Sequence, residues 1–142
     1  MPERSAQAVW DGDLQSGRGT IKIGSGAWEG PYSFKSRFED GAGTNPEELI
    51  AAAHAGCYSM ALAAALTKAG NPPKRVETKA KVDLRKEAEG FRIAKIHLTT
   101  SASVTGIDSG RFREIAEQAK INCPVSKVLS GAEISLDAKL AS

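Results

Sequence analysis

The chain has 142 residues, 41% of them hydrophobic and 25% charged, and a formal net charge of +2. That length suits one domain, residues 1–142, around a single core. The two signs of charge are interspersed, which argues against the dense basic stripe of a nucleic-acid binder. No run approaches 18 consecutive apolar residues and the segment Met1–Trp10 has no apolar h-region, so neither a membrane span nor a secretory signal is expected and a cytoplasmic location is.

In chain order, short strands with glycine-rich turns are expected around Ala8–Leu14, Thr20–Ile23 and Tyr32–Phe38, followed by a loop marked by Gly41, Gly43 and Asn45. The spacing then predicts a helix over Pro46–Ala69. Pro46 suits the first helical position, Asn45 the N-cap and Glu48 the N3 position of a capping box. Gly70, Pro72 and Pro73 stop it. Between Ala51 and Leu66 this helix is almost entirely small or apolar, the pattern of a helix buried all round.

Two long strands follow with clean alternation. Val76, Thr78, Ala80, Val82 and Leu84 share one face of the first; Ala94, Ile96, Leu98, Ala102 and Val104 share one face of the second. A sheet with one wet side favours antiparallel pairing. A second helix starts near Asp108, with Phe112, Ile115, Ala116 and Ala119 on its inner face. Pro124 suggests a fresh helical turn directly after Cys123, and a last strand places Ala132, Ile134, Leu136 and Ala138 inward. The order is β-β-β-α-β-β-α-β, an α+β domain.

Two cysteines are too few for a four-cysteine zinc site, and a purely structural disulfide is not expected in a reducing compartment. Buried inert thiols or a redox pair remain. Cys57 lies in the Ala-rich helix, where a small core residue is the plain reading. Cys123 stands before a proline that can open a helical turn, a position that stabilises a thiolate. Arg37 is a solvated cation unless it faces a thiol. Glu47 is a first-turn carboxylate that complements the helix dipole, but with Glu48 assigned to the cap it is free for another task. His54 and Cys57 are spaced i, i+3 on one helical face, but a catalytic zinc needs about three protein ligands, and the second histidine, His97, falls on a wet strand face.

Four stretches carry a family resemblance: Ser36-Arg37-Phe38-Glu39, Gly43-Thr44-Asn45-Pro46-Glu47-Glu48-Leu49, Ala52-Ala53-His54-Ala55-Gly56-Cys57 and Cys123-Pro124-Val125-Ser126. In order and spacing they resemble the osmotically inducible protein C (OsmC) and organic hydroperoxide resistance (Ohr) group over essentially the whole chain. The match is nearer the OsmC branch, with Asp40 where glycine is more usual. The resemblance implies an OsmC-like fold, with an antiparallel sheet around a buried central helix and an intertwined homodimer. It also implies a two-cysteine peroxidase acting on organic hydroperoxides in stress defence, with Cys57 as the attacking thiol and Cys123 as the resolving thiol. Arg37 and Glu47 match the family's catalytic arginine and glutamate. The implied reductant is an external dithiol, a lipoyl group on another protein in preference to thioredoxin, and no metal or bound cofactor is implied. The competing reading is a non-enzymatic redox sensor or binding protein that oxidises once.

Helix geometry adds an argument about assembly. Glu47 and Cys57 are ten positions apart, which on an unbroken helix means about 15 Å along the axis and roughly 80° around it. Two such side chains cannot converge on one small peroxide. Either the helix breaks, or a second copy supplies Glu47 with Arg37 across an isologous two-fold contact.

Overall fold

A computed structural model describes residues 2–142. The chain divides into two compact units, Met1–Leu49 and Ile50–Ser142. In the first, β1 (Ala6–Asp11), β2 (Arg18–Ile23) and β3 (Glu29–Tyr32) form an antiparallel sheet in that order. Gly19 faces Trp10 on one neighbour and Tyr32 on the other. The two rings pack with centroids 5.4 Å apart, and a Cβ on Gly19 would collide with both. Only glycine leaves room for that aromatic pair.

The strand expected over Tyr32–Phe38 ends at Tyr32, and the rest is a short helix, α1 (Phe34–Phe38). The reason is a reciprocal cap: the Ser36 N–H donates to Ser33 Oγ at 3.1 Å and the Ser33 N–H to Ser36 Oγ at 2.8 Å. Two satisfied backbone donors outweigh a weak alternation pattern.

The long helix, α2 (Pro46–Lys68), is one unbroken element. Its N-terminus is half of the expected capping box. The Glu48 N–H donates to Asn45 Oδ1 at 2.7 Å, but the Glu48 carboxylate accepts from the Thr44 hydroxyl at 2.8 Å. At the other end Gly70 takes φ 90°, with Asn71 N–H bonded to Leu66 O and Gly70 N–H to Thr67 O. That is a Schellman stop, which favours glycine.

In the second unit β4 (Pro73–Glu87) and β5 (Gly90–Val104) form a long antiparallel hairpin. α3 (Ser109–Asn122), α4 (Pro124–Val128) and β6 (Glu133–Leu140) follow, and β6 pairs parallel to β5. The expected wholly antiparallel sheet is therefore corrected here. Two helices between β5 and β6 carry the chain back across the sheet, and a helical crossover delivers a parallel strand. The core joins Tyr58, Leu62 and Leu66 of α2 to Leu98, Ala102 and Val104 of β5, Phe112, Ile115, Ala116 and Ala119 of α3, and Cys123.

α2 is not buried all round. His54, Tyr58, Leu62 and Leu66, four apart, form its buried stripe, while Ala52, Ala53, Gly56, Met60 and Ala64 are exposed, Met60 at 76%. A Cβ on Gly56 would meet nothing. By length and composition alone this 23-residue helix, with mean hydropathy 1.6, is apolar enough to cross a membrane. The core helix of a soluble protein passes the same test, and the polar stripe member His54 of this one is fully buried against protein.

Candidate active site

The predicted site residues fall into two pairs, one in each unit. In the first unit α1 presents Arg37 to Glu47 in the first turn of α2. Arg37 Nε donates to Oε1 and Nη2 to Oε2, both at 3.0 Å. This is a bidentate fork, the strongest geometry available to a guanidinium and a carboxylate. The Glu47 side chain is 9% exposed and that of Arg37 36%, so the carboxylate anchors and the cation keeps a free edge. The Arg37 guanidinium also lies 5.3 Å from the Phe38 ring centroid. It borders a pocket of about 410 Å³ lined by Trp10, Leu14, Tyr32, Phe34 and Phe38. An aromatic wall beside a cation suits an apolar molecule carrying one polar end. Sequence reasoning missed this pocket, because its walls come from two segments, residues 10–14 and 32–38, that are well apart in the chain.

In the second unit the free thiols of Cys57 and Cys123 meet, with Sγ···Sγ 3.1 Å. Cys123 is buried and Cys57 half-buried. Cys123 is both the end of α3 and the N-cap of α4, with Pro124 following. Burial pushes the Cys57 thiol up, and the neighbouring Cys123 sulfur adds to that through hydrogen bonding and charge, against a smaller opposing effect of the Val125 N–H. Cys123 moves the other way. Burial raises it, but the Ser126 N–H, the Cys57 thiol, the Ser126 hydroxyl and the Val125 N–H together hold it below the ordinary thiol range. Cys123 is thus the more acidic thiol of the pair, and among the described residues of this unit no cationic side chain contributes to Cys57.

His54 is fully buried one turn before Cys57, and its Nε2 lies 2.7 Å from Ser126 Oγ. Burial lowers its pKa, so it is neutral. His97 pairs with Ser135 across the outer face of β5 and β6, Nδ1···Oγ 2.6 Å. Among the described residues no three His, Cys, Asp or Glu side chains gather as metal ligands. A larger groove of about 690 Å³, bounded by Ala65, Lys68, Arg111, Glu114 and Gln118, holds no thiol or histidine.

Two apposed free thiols are the chemistry of a thiol-based redox protein. The family described as OsmC-like protein matches residues 39–139. The chain is 49% identical over 140 residues to "Peroxiredoxin OsmC" of Escherichia coli, covering 98% of this chain and 97% of that one. It is 34% identical over 104 residues to "Organic hydroperoxide resistance protein OhrB" of Bacillus subtilis, covering 72% and 71%. The crystal structure of B. subtilis OhrB has the same fold, with TM-score 0.68 at 24% identity over 96% of this chain and 97% of that one. An OsmC-like protein of Vibrio cholerae superposes with TM-score 0.77 at 18% identity, covering 97% and 99%. The chain belongs to the OsmC family and is a thiol-dependent peroxidase.

Proposed function

We propose that this peroxidase reduces organic hydroperoxides to alcohols by a two-cysteine cycle in the cytoplasm, in defence against oxidative stress. The single observation that carries it is the 3.1 Å approach of two free sulfurs. The Cys57 thiolate attacks one peroxide oxygen; the O–O bond breaks and the alkoxide leaves, taking a proton to become the alcohol. Cys57 is now a sulfenic acid. The Cys123 sulfur attacks the Cys57 sulfur, hydroxide leaves and is protonated to water, and a disulfide forms. An external dithiol, in this proposal a lipoyl group, returns both thiols and is itself oxidised to a disulfide.

Arg37 stabilises the Cys57 thiolate and the charge that develops on the peroxide oxygens, and Glu47 holds Arg37 by the fork. The aromatic pocket beside Arg37 favours bulky, apolar peroxides over hydrogen peroxide.

The working unit is a homodimer with composite sites, in which one copy brings Arg37 and Glu47 and the other the two cysteines. Two observations support this. α2 runs unbroken from Pro46 to Lys68, as the composite arrangement needs. Its exposed face carries the small residues Ala52, Ala53, Gly56 and Ala64 beside the apolar Met60, a surface that suits close helix–helix contact.

The test is turnover. With excess dithiol, each chain should consume many equivalents of cumene hydroperoxide. Consumption that stops near one equivalent would instead support a single-use redox sensor.

A further inference from the structure

Four side chains form a square between α2 and the start of α4. His54 and Cys57 are i, i+3 on α2; Cys123 and Ser126 are the N-cap and N3 residues of α4. The sulfurs face each other at 3.1 Å and His54 Nε2 faces Ser126 Oγ at 2.7 Å. Nothing in the peroxidase cycle described above uses His54 or Ser126, yet both are buried, His54 completely.

The hydrogens on this square can be placed. His54 Nδ1 is buried and faces no hydrogen-bonding group among the described residues. A neutral imidazole carries one N–H. An orphaned buried N–H is rarer and costlier than an under-used acceptor, so the proton belongs on Nε2. Nε2–H then donates to Ser126 Oγ. The serine hydrogen, barred from pointing back at the histidine, is left for the Cys123 side chain at the N-cap three residues before, on the side of α4 that an N3 side chain faces.

We propose that His54 is a positioning residue for the resolving thiol: by donating to Ser126 it aims the serine O–H at Cys123, steadying that sulfur as a thiolate. The consequence falls on two steps, both resting on the two-cysteine reading. When Cys123 attacks the Cys57 sulfenic acid, the hydroxyl keeps it in the anionic, nucleophilic form. When the external dithiol opens the disulfide by attack at Cys57, the S–S bond breaks with its electron pair on Cys123, and the same O–H receives that charge. The titratable groups packed around the pair are Cys57 and Tyr58 of α2 and, acting on Tyr58, Glu117 of α3. Tyr58 is held protonated well above the working range, so the pH dependence of closure belongs to the thiols.

The experiment is rapid-quench measurement of Cys57–Cys123 disulfide formation against pH after one equivalent of cumene hydroperoxide. The proteins are the wild type, Ser126→Ala, His54→Leu and His54→Gln. Thiolate absorbance against pH is recorded in the same set carrying Cys57→Ser. Ser126→Ala and His54→Leu should slow closure about tenfold, the effect of one lost hydrogen bond to a charged group, and move the Cys123 ionisation to higher pH. His54→Gln, whose amide N–H can replace Nε2–H, should recover most of both. Unchanged Cys123 ionisation and closure in Ser126→Ala, with the wild type closing normally, would overturn the inference alone. Equal slowing of Cys57 oxidation and closure, with no shift of ionisation, would mark His54 as merely structural and overturn it too. A wild type that forms no disulfide would overturn the two-cysteine reading and the closure role with it.

Discussion

The sulfurs of Cys57 and Cys123, 66 positions apart in sequence, stand 3.1 Å from each other. A disulfide requires about 2.05 Å, so closure needs a movement of only about 1 Å. The division of labour between them is testable. Cys57→Ser should abolish turnover. Cys123→Ser should leave the first oxidation intact and block recycling, and mass spectrometry after one equivalent of hydroperoxide should find the added oxygen on Cys57. Finding the wild type's first oxidation at Cys123, the more acidic thiol within its unit, would reverse the roles.

Burial and the neighbouring sulfur both raise the Cys57 thiol, so a cation must offset them for attack at neutral pH. If Arg37 is that cation, Arg37→Ala should move Cys57 ionisation upward and lower kcat/KM about 100-fold, the scale of one lost electrostatic stabiliser. Alkylation rate against pH in the Cys123→Ser background measures it. Glu47→Gln, which loosens the fork, should shift the same profile less.

Composite sites predict complementation. Cys57→Ser and Glu47→Ala proteins, each inactive, should regain part of the wild-type activity when refolded together, because one site of the heterodimer is intact. Demonstrated heterodimers with no recovery would mean that all four residues come from one chain. Met60→Lys, on the exposed face of α2, should weaken the dimer and the activity together, as seen by analytical ultracentrifugation at several concentrations.

Tyr58 is fully buried, and its hydroxyl donates to the Ala116 carbonyl of α3 at 2.9 Å. Tyr58→Phe keeps the packing and removes that bond. It should cost about 1 kcal/mol, read as a thermal midpoint lower by about 3 °C.

His54 is buried neutral, its pKa lowered from the ordinary 6.5 by burial. The unfolded chain therefore binds a proton there before the folded one does. His54 favours folding fully above about pH 6.5, and that contribution is lost as pH falls toward the lower folded value. Urea midpoints should drop on acidification through this window, and His54→Gln should flatten the drop. An identical pH dependence in the variant would show that other groups carry it.

The sequence alone determined what depends on near neighbours. The inner faces of β4 and β5 follow from their alternation, that of α3 from its 3.6-residue period, and the limits of α2 from Asn45, Pro46 and Gly70. Motif order was enough to offer Arg37, Glu47, Cys57 and Cys123 as the candidate site residues. The Ser33–Ser36 cap was equally local but went unrecognised, since serine favours caps and loops alike. Only the tertiary structure decided the rest. The parallel pairing of β6 depends on where the α3–α4 crossover sets the chain down. The exposure of one face of α2 depends on how many partners a chain this short can bring to it. Ser126 appeared in the sequence as one polar residue after Cys-Pro, and His54 as one polar residue in an apolar helix. Their hydrogen bond joins residues 72 positions apart, and no periodicity records a contact of that range, because it is made by packing two helices and not by the spacing within either.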